Sequence, residues 1–279
     1  MDSRSEHPVA VFDSGVGGLT VLHELLVSLP TEDYLYLGDT ARFPYGERAP
    51  EELERFAIEI ADRLLEADAK LLVAACNAVS SVALGVLERH LARGGRDVDV
   101  IGVVAPATQL AVAGSRTGRI GLLATPATVA SAAYERAVSA ADPHVHLESV
   151  ACSDLAPIIQ GGFPFDEHVV ETVREYCAPL RAAAVDTVIL GCTHYPLIAP
   201  MLQRTLGRGV GLVTSGTGVA RSVERALAAR DLLNPKPGEG AYRFLCTGAI
   251  EAFHALGTRF LQMPLGEVVH VELEARAAA

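Results

Sequence analysis

Residues 187–200, TVILGCTHYPLIAP, decide how the chain is read. The run from Val185 to Leu190 is mostly apolar, the pattern of a strand buried on both faces of a parallel sheet. Directly behind it stand a thiol, a hydroxyl and an imidazole: Cys192, Thr193 and His194. A single cysteine at a strand end is more often a small packing residue than a reagent. Residues 71–84, LLVAACNAVSSVAL, repeat the layout, with Cys76 and Asn77 behind an apolar run. A second pair, VAVFDSGVGGLTV at 9–21 and RIGLLATPATVAS at 119–131, shares a strand, a polar tip and a small-residue helix start, with Asp13 set on Thr125. The cysteines are offset by 116 positions and the second pair by 112, so the chain reads as two related α/β units.

Outward from these motifs, candidate strands fall at Val9–Asp13, Tyr34–Asp39, Leu71–Cys76, Val98–Val104, Arg119–Thr125, His146–Cys152, Thr187–Cys192, Gly211–Thr214 and Tyr242–Thr247. Helical stretches separate them; Pro50–Glu66 carries Leu53, Phe56, Ile60 and Leu64 at helical spacing. The alternation predicts an α/β fold of two pseudo-symmetric lobes, each a parallel sheet flanked by helices. Crossings near Val104–Ala107 and Thr214–Gly218 give a first lobe of 1–98 plus 213–279, completed by the last strand, and a second of 99–212. Ligands of open α/β sheets bind beyond the carboxyl ends of the strands. The active site is therefore expected in the cleft between the lobes, faced by Asp13, Cys76, Thr125 and Cys192.

The bulk properties exclude several classes. With 279 residues, half of them hydrophobic and 20% charged, the chain has ample material for a folded core. A net charge of −11 without a Lys/Arg cluster argues against a nucleic-acid partner. The polar start Met1–Pro8 lacks the apolar core of a signal peptide, and no uninterrupted apolar run approaches the length of a membrane span. Five scattered cysteines (76, 152, 177, 192 and 246) suit reduced thiols in a cytoplasmic protein better than a disulfide framework. Cys152, Cys177 and Cys246 have no flanking polar constellation and read as core. His7, His23, His90 and His254 have no partner at ligand spacing, so no metal is assigned.

The chemistry concentrates at the strand ends. In DSGVGG (13–18), Asp13 and Ser14 either cap a helix or, with the glycines, bring backbone donors to a ligand. In GDTARFPYG (38–46), Asp39 is either a turn residue or a site carboxylate. Pro44-Tyr45-Gly46 is either an ordinary turn or a rigid loop offering N–H groups to a carboxylate. Thr125 and Thr128 either cap a helix or bind a carboxylate. On extended backbone, residues i and i+2 share a face, which sets His194 on the side of Cys192. An imidazole there takes or returns the thiol proton. Two corresponding thiols at one cleft suit a nearly symmetric reaction: removal of a proton from one face of a carbon and delivery to the other.

Taken together, VFDSGVGGLTVL, GDTARFPYG, ACNAVSS, LLATPATVAS and GCTHYPL resemble the glutamate racemases of the aspartate/glutamate racemase superfamily. The resemblance implies interconversion of L- and D-glutamate without a cofactor, for peptidoglycan synthesis, with Cys76 and Cys192 as opposed acid and base. It gives Asp13, and less directly Asp39, a supporting role beside the first thiol, and has His194 assist the second. It draws substrate contacts from Ser14, Pro44, Tyr45, Gly46, Asn77, Thr125 or Thr128, and Thr193, and a homodimer is consistent with it. Two positions depart from the family pattern. Ala78 stands where a threonine is usual, and Gln160 where a glutamate usually orients and charges the histidine. The departures keep two alternatives in view: a related racemase or decarboxylase for another acidic substrate, and an amino-acid-binding regulatory protein descended from a racemase. Decarboxylases of the superfamily keep one of the two cysteines, which disfavours that branch.

Overall fold

The apolar runs form parallel strands in a computed structural model that describes residues 3–162 and 166–273. In chain order the first part runs β1 (Val9–Asp13), α1 (Leu19–Ser28), β2 (Tyr34–Gly38), α2 (Pro50–Leu65), β3 (Leu71–Ala74), α3 (Asn77–Val82), α4 (Leu84–Arg93) and β4 (Asp99–Gly102). The middle runs α5 (Val104–Gly114), β5 (Arg119–Ala124), α6 (Pro126–Ala130), α7 (Ala133–Ala141), β6 (His146–Ala151), α8 (Leu155–Gln160), α9 (Glu167–Ala182), β7 (Thr187–Gly191), α10 (Ala199–Leu206) and β8 (Gly211–Val213). The chain then continues through α11 (Ser215–Ala229), β9 (Tyr242–Cys246), α12 (Ile250–Leu261) and β10 (Val268–His270). Short 3-10 turns at Ser3–Glu6 and Tyr195–Ile198 complete the set. Met1 and Asp2, of the short polar tail Met1–Pro8, lie outside the described residues.

Two parallel sheets result, ordered β10-β9-β2-β1-β3-β4 and β6-β5-β7-β8. The block β2-β1-β3-β4 has the same order as β6-β5-β7-β8, which is the repeat seen in the motifs. In β1, Val9 and Val11 pack with Leu19 and Leu22 of α1, while Ala10 and Phe12 pack with Leu53, Phe56 and Ile60 of α2. Period-two alternation thus buries both faces. The cluster on the Val9 side also includes Leu123, Val188 and Tyr195, so one apolar core runs from sheet to sheet. Among the described residues, no helix is long and apolar enough to cross a membrane.

The expected boundary at 98/99 is corrected. Strand β4 pairs with β3, Leu71 opposite Asp99 and Ala74 opposite Gly102, and so belongs to the first sheet. The crossing comes after Gly102, because the open edge of β3 is satisfied by the segment that precedes α5. The second boundary also moves, since β8 runs to Val213 beside β7. Strand β10, three residues beside β9, is too short to leave a period in the sequence. Most expected strands end one or two residues late, because the backbone leaves the ladder to turn into the next helix. Asp39, Cys76, Thr125, Cys152 and Cys192 all sit just beyond strand ends.

At the amino ends of β2 and β3, Lys70 is fully buried, its Nζ 2.5 Å from Glu32 Oε2 and donating to the Ser5 carbonyl at 2.5 Å. Glu32 Oε1 accepts from the Asn234 backbone N–H at 2.8 Å. The pair therefore pins the N-terminal turn and the segment before β9 to the sheet. Lys70→Ala, which leaves a buried carboxylate without its cation, is expected to cost about 3–5 kcal/mol. Urea unfolding of the variant against the parent measures it.

Candidate active site

The carboxyl ends of β1, β3, β5 and β7 converge on a cavity of about 140 Å³. Ser14, Pro44, Tyr45, Gly46, Cys76, Asn77, Thr125, Cys192, Thr193 and His194 line it, so these ten expected residues are brought together. Both thiols are buried, and each stands at the turn from a strand into a helix. Burial pushes the Cys76 thiol up to about 12, with the negative charge of Asp13 adding to it. Burial raises Cys192 as well, the His194 backbone N–H opposing and the Asp13 and Cys76 charges adding. Both therefore rest as thiols near neutral pH.

Asp13 lies behind the cavity wall, fully buried. Its Oδ1 accepts from the Gly15 N–H at 2.9 Å and its Oδ2 from the Thr193 hydroxyl at 3.2 Å. It thus connects the first motif to the second. The turn is held from below by Tyr36, whose hydroxyl donates to the Gly15 carbonyl at 2.8 Å. Burial raises the carboxyl from 3.8 to about 6, against the lowering effect of the Gly15 and Gly18 N–H groups. Its native value lies above its unfolded one, so protonation favours the fold below about pH 4, and this contribution disappears as pH rises through 6. Above that the native state holds a desolvated carboxylate. Asp13→Asn is therefore expected to stabilise the protein at pH 7.5 by about 3 kcal/mol, and hardly at all near pH 4, while slowing turnover. Unfolding curves at both pH values, beside a rate assay, check the sign.

His194 reaches Cys192 by a route other than the expected one. Strand β7 ends at Gly191, and His194 has helical backbone angles (φ −79°, ψ −32°). The turn, not a shared strand face, brings Nδ1 to 3.8 Å from the Cys192 sulfur. Nε2 pairs with Gln160 Oε1 at 2.8 Å, which places the ring proton on Nε2 and leaves the Nδ1 lone pair for the thiol. The ring packs against Phe43 and Phe260, with centroids 5.5 and 5.0 Å away. Burial lowers its pKa to about 3, and the neutral Gln160 supplies no charge to oppose that. His194 is a neutral acceptor in this site.

Besides Asp13, two expected residues stand outside the lining. Asp39 is fully buried and committed: Arg42 Nε and Thr247 Oγ1 donate to it at 2.5 and 2.7 Å, and the Tyr45 hydroxyl donates to Oδ2. It holds the 43–46 loop through Tyr45 and does not face the first thiol. Thr128 is buried behind Thr125, their hydroxyls 3.1 Å apart, and acts on the cavity through it. No side-chain capping bond forms at Thr125. Cys152, Cys177 and Cys246 are buried and unbridged, as core.

Ala78, the departure noted in the sequence, also lines the cavity, as do Phe43, Glu47, Ser153, Asp154 and Pro157, which the sequence does not single out. Pro157 belongs to the short helix α8, and Phe43, Glu47, Ser153 and Asp154 to loops with no periodic signal; only the proximity of Phe43 and Glu47 to Pro44-Tyr45-Gly46 pointed to any of them. Between the two lobes, the Gly46 carbonyl accepts from the Ala127 N–H at 2.8 Å, and the Tyr134 hydroxyl donates to Asn77 Oδ1 at 2.7 Å. Among the described residues, no group of three or more His, Cys, Asp or Glu is arranged to hold a metal.

Two like-ordered parallel sheets each deliver one thiol to a shared cavity. The chain belongs to the Asp/Glu/hydantoin racemase family, whose model matches residues 20–223. It is 42% identical over 267 residues to the glutamate racemase of Geobacter metallireducens, covering 96% of this chain and 97% of that one. A glutamate racemase isoform of Bacillus anthracis superposes with a TM-score of 0.91 at 33% identity, covering 96% and 98%. The Francisella tularensis glutamate racemase, solved with D-glutamate, gives 0.89 at 30% identity, covering 98% and 100%.

Proposed function

We propose that this chain is a glutamate racemase that passes the α-proton of glutamate between Cys76 and Cys192 without a cofactor. The observation that carries the reading is the position of the two thiols, at equivalent strand ends of two like-ordered sheets and on the wall of one cavity. A thiolate on one side takes the α-proton while the thiol on the other delivers one to the opposite face. His194 accepts the Cys192 proton at Nδ1. Asp13 acts beside Cys76, where a carboxyl held near 6 exchanges protons more readily than an ordinary aspartate. Ser14, the Pro44-Tyr45-Gly46 loop, Asn77, Thr125 and Thr193 bind the substrate, and their fixed dipoles stabilise charge developing at the α-carbon in a site that excludes water. Thr128 and Asp39 position Thr125 and Tyr45.

The product, D-glutamate, serves peptidoglycan precursor synthesis in the cytoplasm, a setting that suits five unbridged cysteines. The family resemblance also supports a homodimer, which sedimentation of the purified chain measures. The direct test is incubation with L- or D-glutamate in D₂O, without pyridoxal phosphate or added metal, following optical rotation and α-deuteration. Racemisation with deuterium incorporation supports the reading. Exchange of aspartate but not glutamate overturns the substrate, and binding without exchange points to a regulatory protein.

A further inference from the structure

Asn77 sits at the first position of α3, 3% exposed, on the cavity wall. Its Nδ2 is a buried donor with no hydrogen-bond partner. A buried amide donor left unmatched costs about 1–3 kcal/mol, so a native protein that keeps one at a cavity wall is holding it for a ligand. The other end of the amide is occupied: Oδ1 accepts from the Tyr134 hydroxyl at 2.7 Å. Tyr134 is fully buried at the start of α7, a helix that runs between strands of the second sheet, whereas α3 lies between strands of the first. Both side chains are buried, and burial raises the phenol's pKa against the lowering effect of the Ser215 hydroxyl, so it stays a donor.

We propose that Tyr134 is a positioning residue that fixes the Asn77 amide from the opposite lobe, turning its N–H groups toward a substrate carboxylate. The inference rests on the glutamate reading for the identity of that carboxylate. A primary amide offers a donor on one side and an acceptor on the other. Released, it can rotate and present its oxygen to an anionic oxygen, so one distant hydroxyl decides whether Asn77 attracts or repels the substrate. Because the bond spans the two lobes, the donor is correctly aimed only when the lobes are together.

The test is a double-mutant cycle on Tyr134→Phe and Asn77→Ala, read by calorimetric glutamate binding and by KM and kcat. Tyr134→Phe is expected to raise Kd and KM about fivefold to tenfold, with kcat changed far less, since the carboxylate is held in ground and transition states alike. In the Asn77→Ala background the same change is expected to add nothing. An unchanged Kd for Tyr134→Phe, or an equal loss in both backgrounds, overturns the proposal. Asn77→Asp in the intact Tyr134 protein is an independent arm. It keeps an acceptor for the phenol but puts oxygen where the donor was, and should bind glutamate at least tenfold more weakly than Asn77→Ala; equal or tighter binding overturns the orientation. Failure of the parent to racemise, with binding intact, would refute the racemase reading and leave this cycle interpretable.

Discussion

Cys76→Ser and Cys192→Ser are each expected to lower racemisation by about 10²–10⁴-fold in both directions. A serine hydroxyl keeps the size and hydrogen-bonding capacity of the thiol but gives up its proton far less readily. Both cysteines are buried and line one cavity, each delivered by a different sheet, so neither can substitute for the other on the opposite face of the substrate. The sharper expectation concerns exchange. With one thiol left, the α-proton of a single enantiomer, the one whose C–H bond faces that thiol, should still exchange with deuterium and return with retained configuration. Cys76→Ser and Cys192→Ser should exchange opposite enantiomers. Proton NMR in D₂O with polarimetry reads both quantities, and exchange of both enantiomers by either variant would sink the two-thiol mechanism.

The second large effect is expected at a residue with no functional group. A Cβ added at Gly17 would lie 2.6 Å from His194 Nδ1 and 2.7 Å from its Cε1, and would also press on the Thr193 hydroxyl. The imidazole has nowhere to go, since Phe43 and Phe260 flank it and Gln160 holds its far nitrogen. Gly17→Ala must therefore displace the histidine or Thr193, and with Thr193 the bond to Asp13. Misplacing a catalytic group by about 1 Å can cost about 10²-fold in rate. A fall of that order in kcat is expected, checked by steady-state kinetics beside a thermal unfolding curve. Wild-type turnover in Gly17→Ala would mean that the Nδ1 contact with Cys192 does not matter.

Much of this site was legible because it sits on strand ends. Apolar runs mark buried strands, and the residue that breaks the run is the one delivered to the edge of the sheet; Cys76, Thr125 and Cys192 were found that way, whereas Asp13, expected at the cleft by the same rule, lies behind its wall. His194 was placed beside Cys192 for an incorrect reason, since extended backbone was assumed where the chain turns. Asp39 misled because a carboxylate after a strand looks the same whether it faces a cavity or is consumed by Arg42, Tyr45 and Thr247. Tyr134 gave no signal at all: it is one aromatic in an amphipathic helix, and its partner lies 57 positions away.

By itself, the sequence determined the class of the fold, its internal repeat, the pair of thiols and the departures at Ala78 and Gln160. All of these depend on residue type and on periodicity within a short window, which backbone geometry converts directly into position. Only the tertiary structure decided which groups face the substrate and which hold others in place. It put Asp13 behind the wall and bonded to Thr193, turned His194 by its backbone, closed the histidine against Gly17, and set Tyr134 against Asn77. Those relations are made across the cleft, where a hydrogen bond of about 3 Å depends on how two separately patterned lobes meet, and no local pattern encodes that meeting.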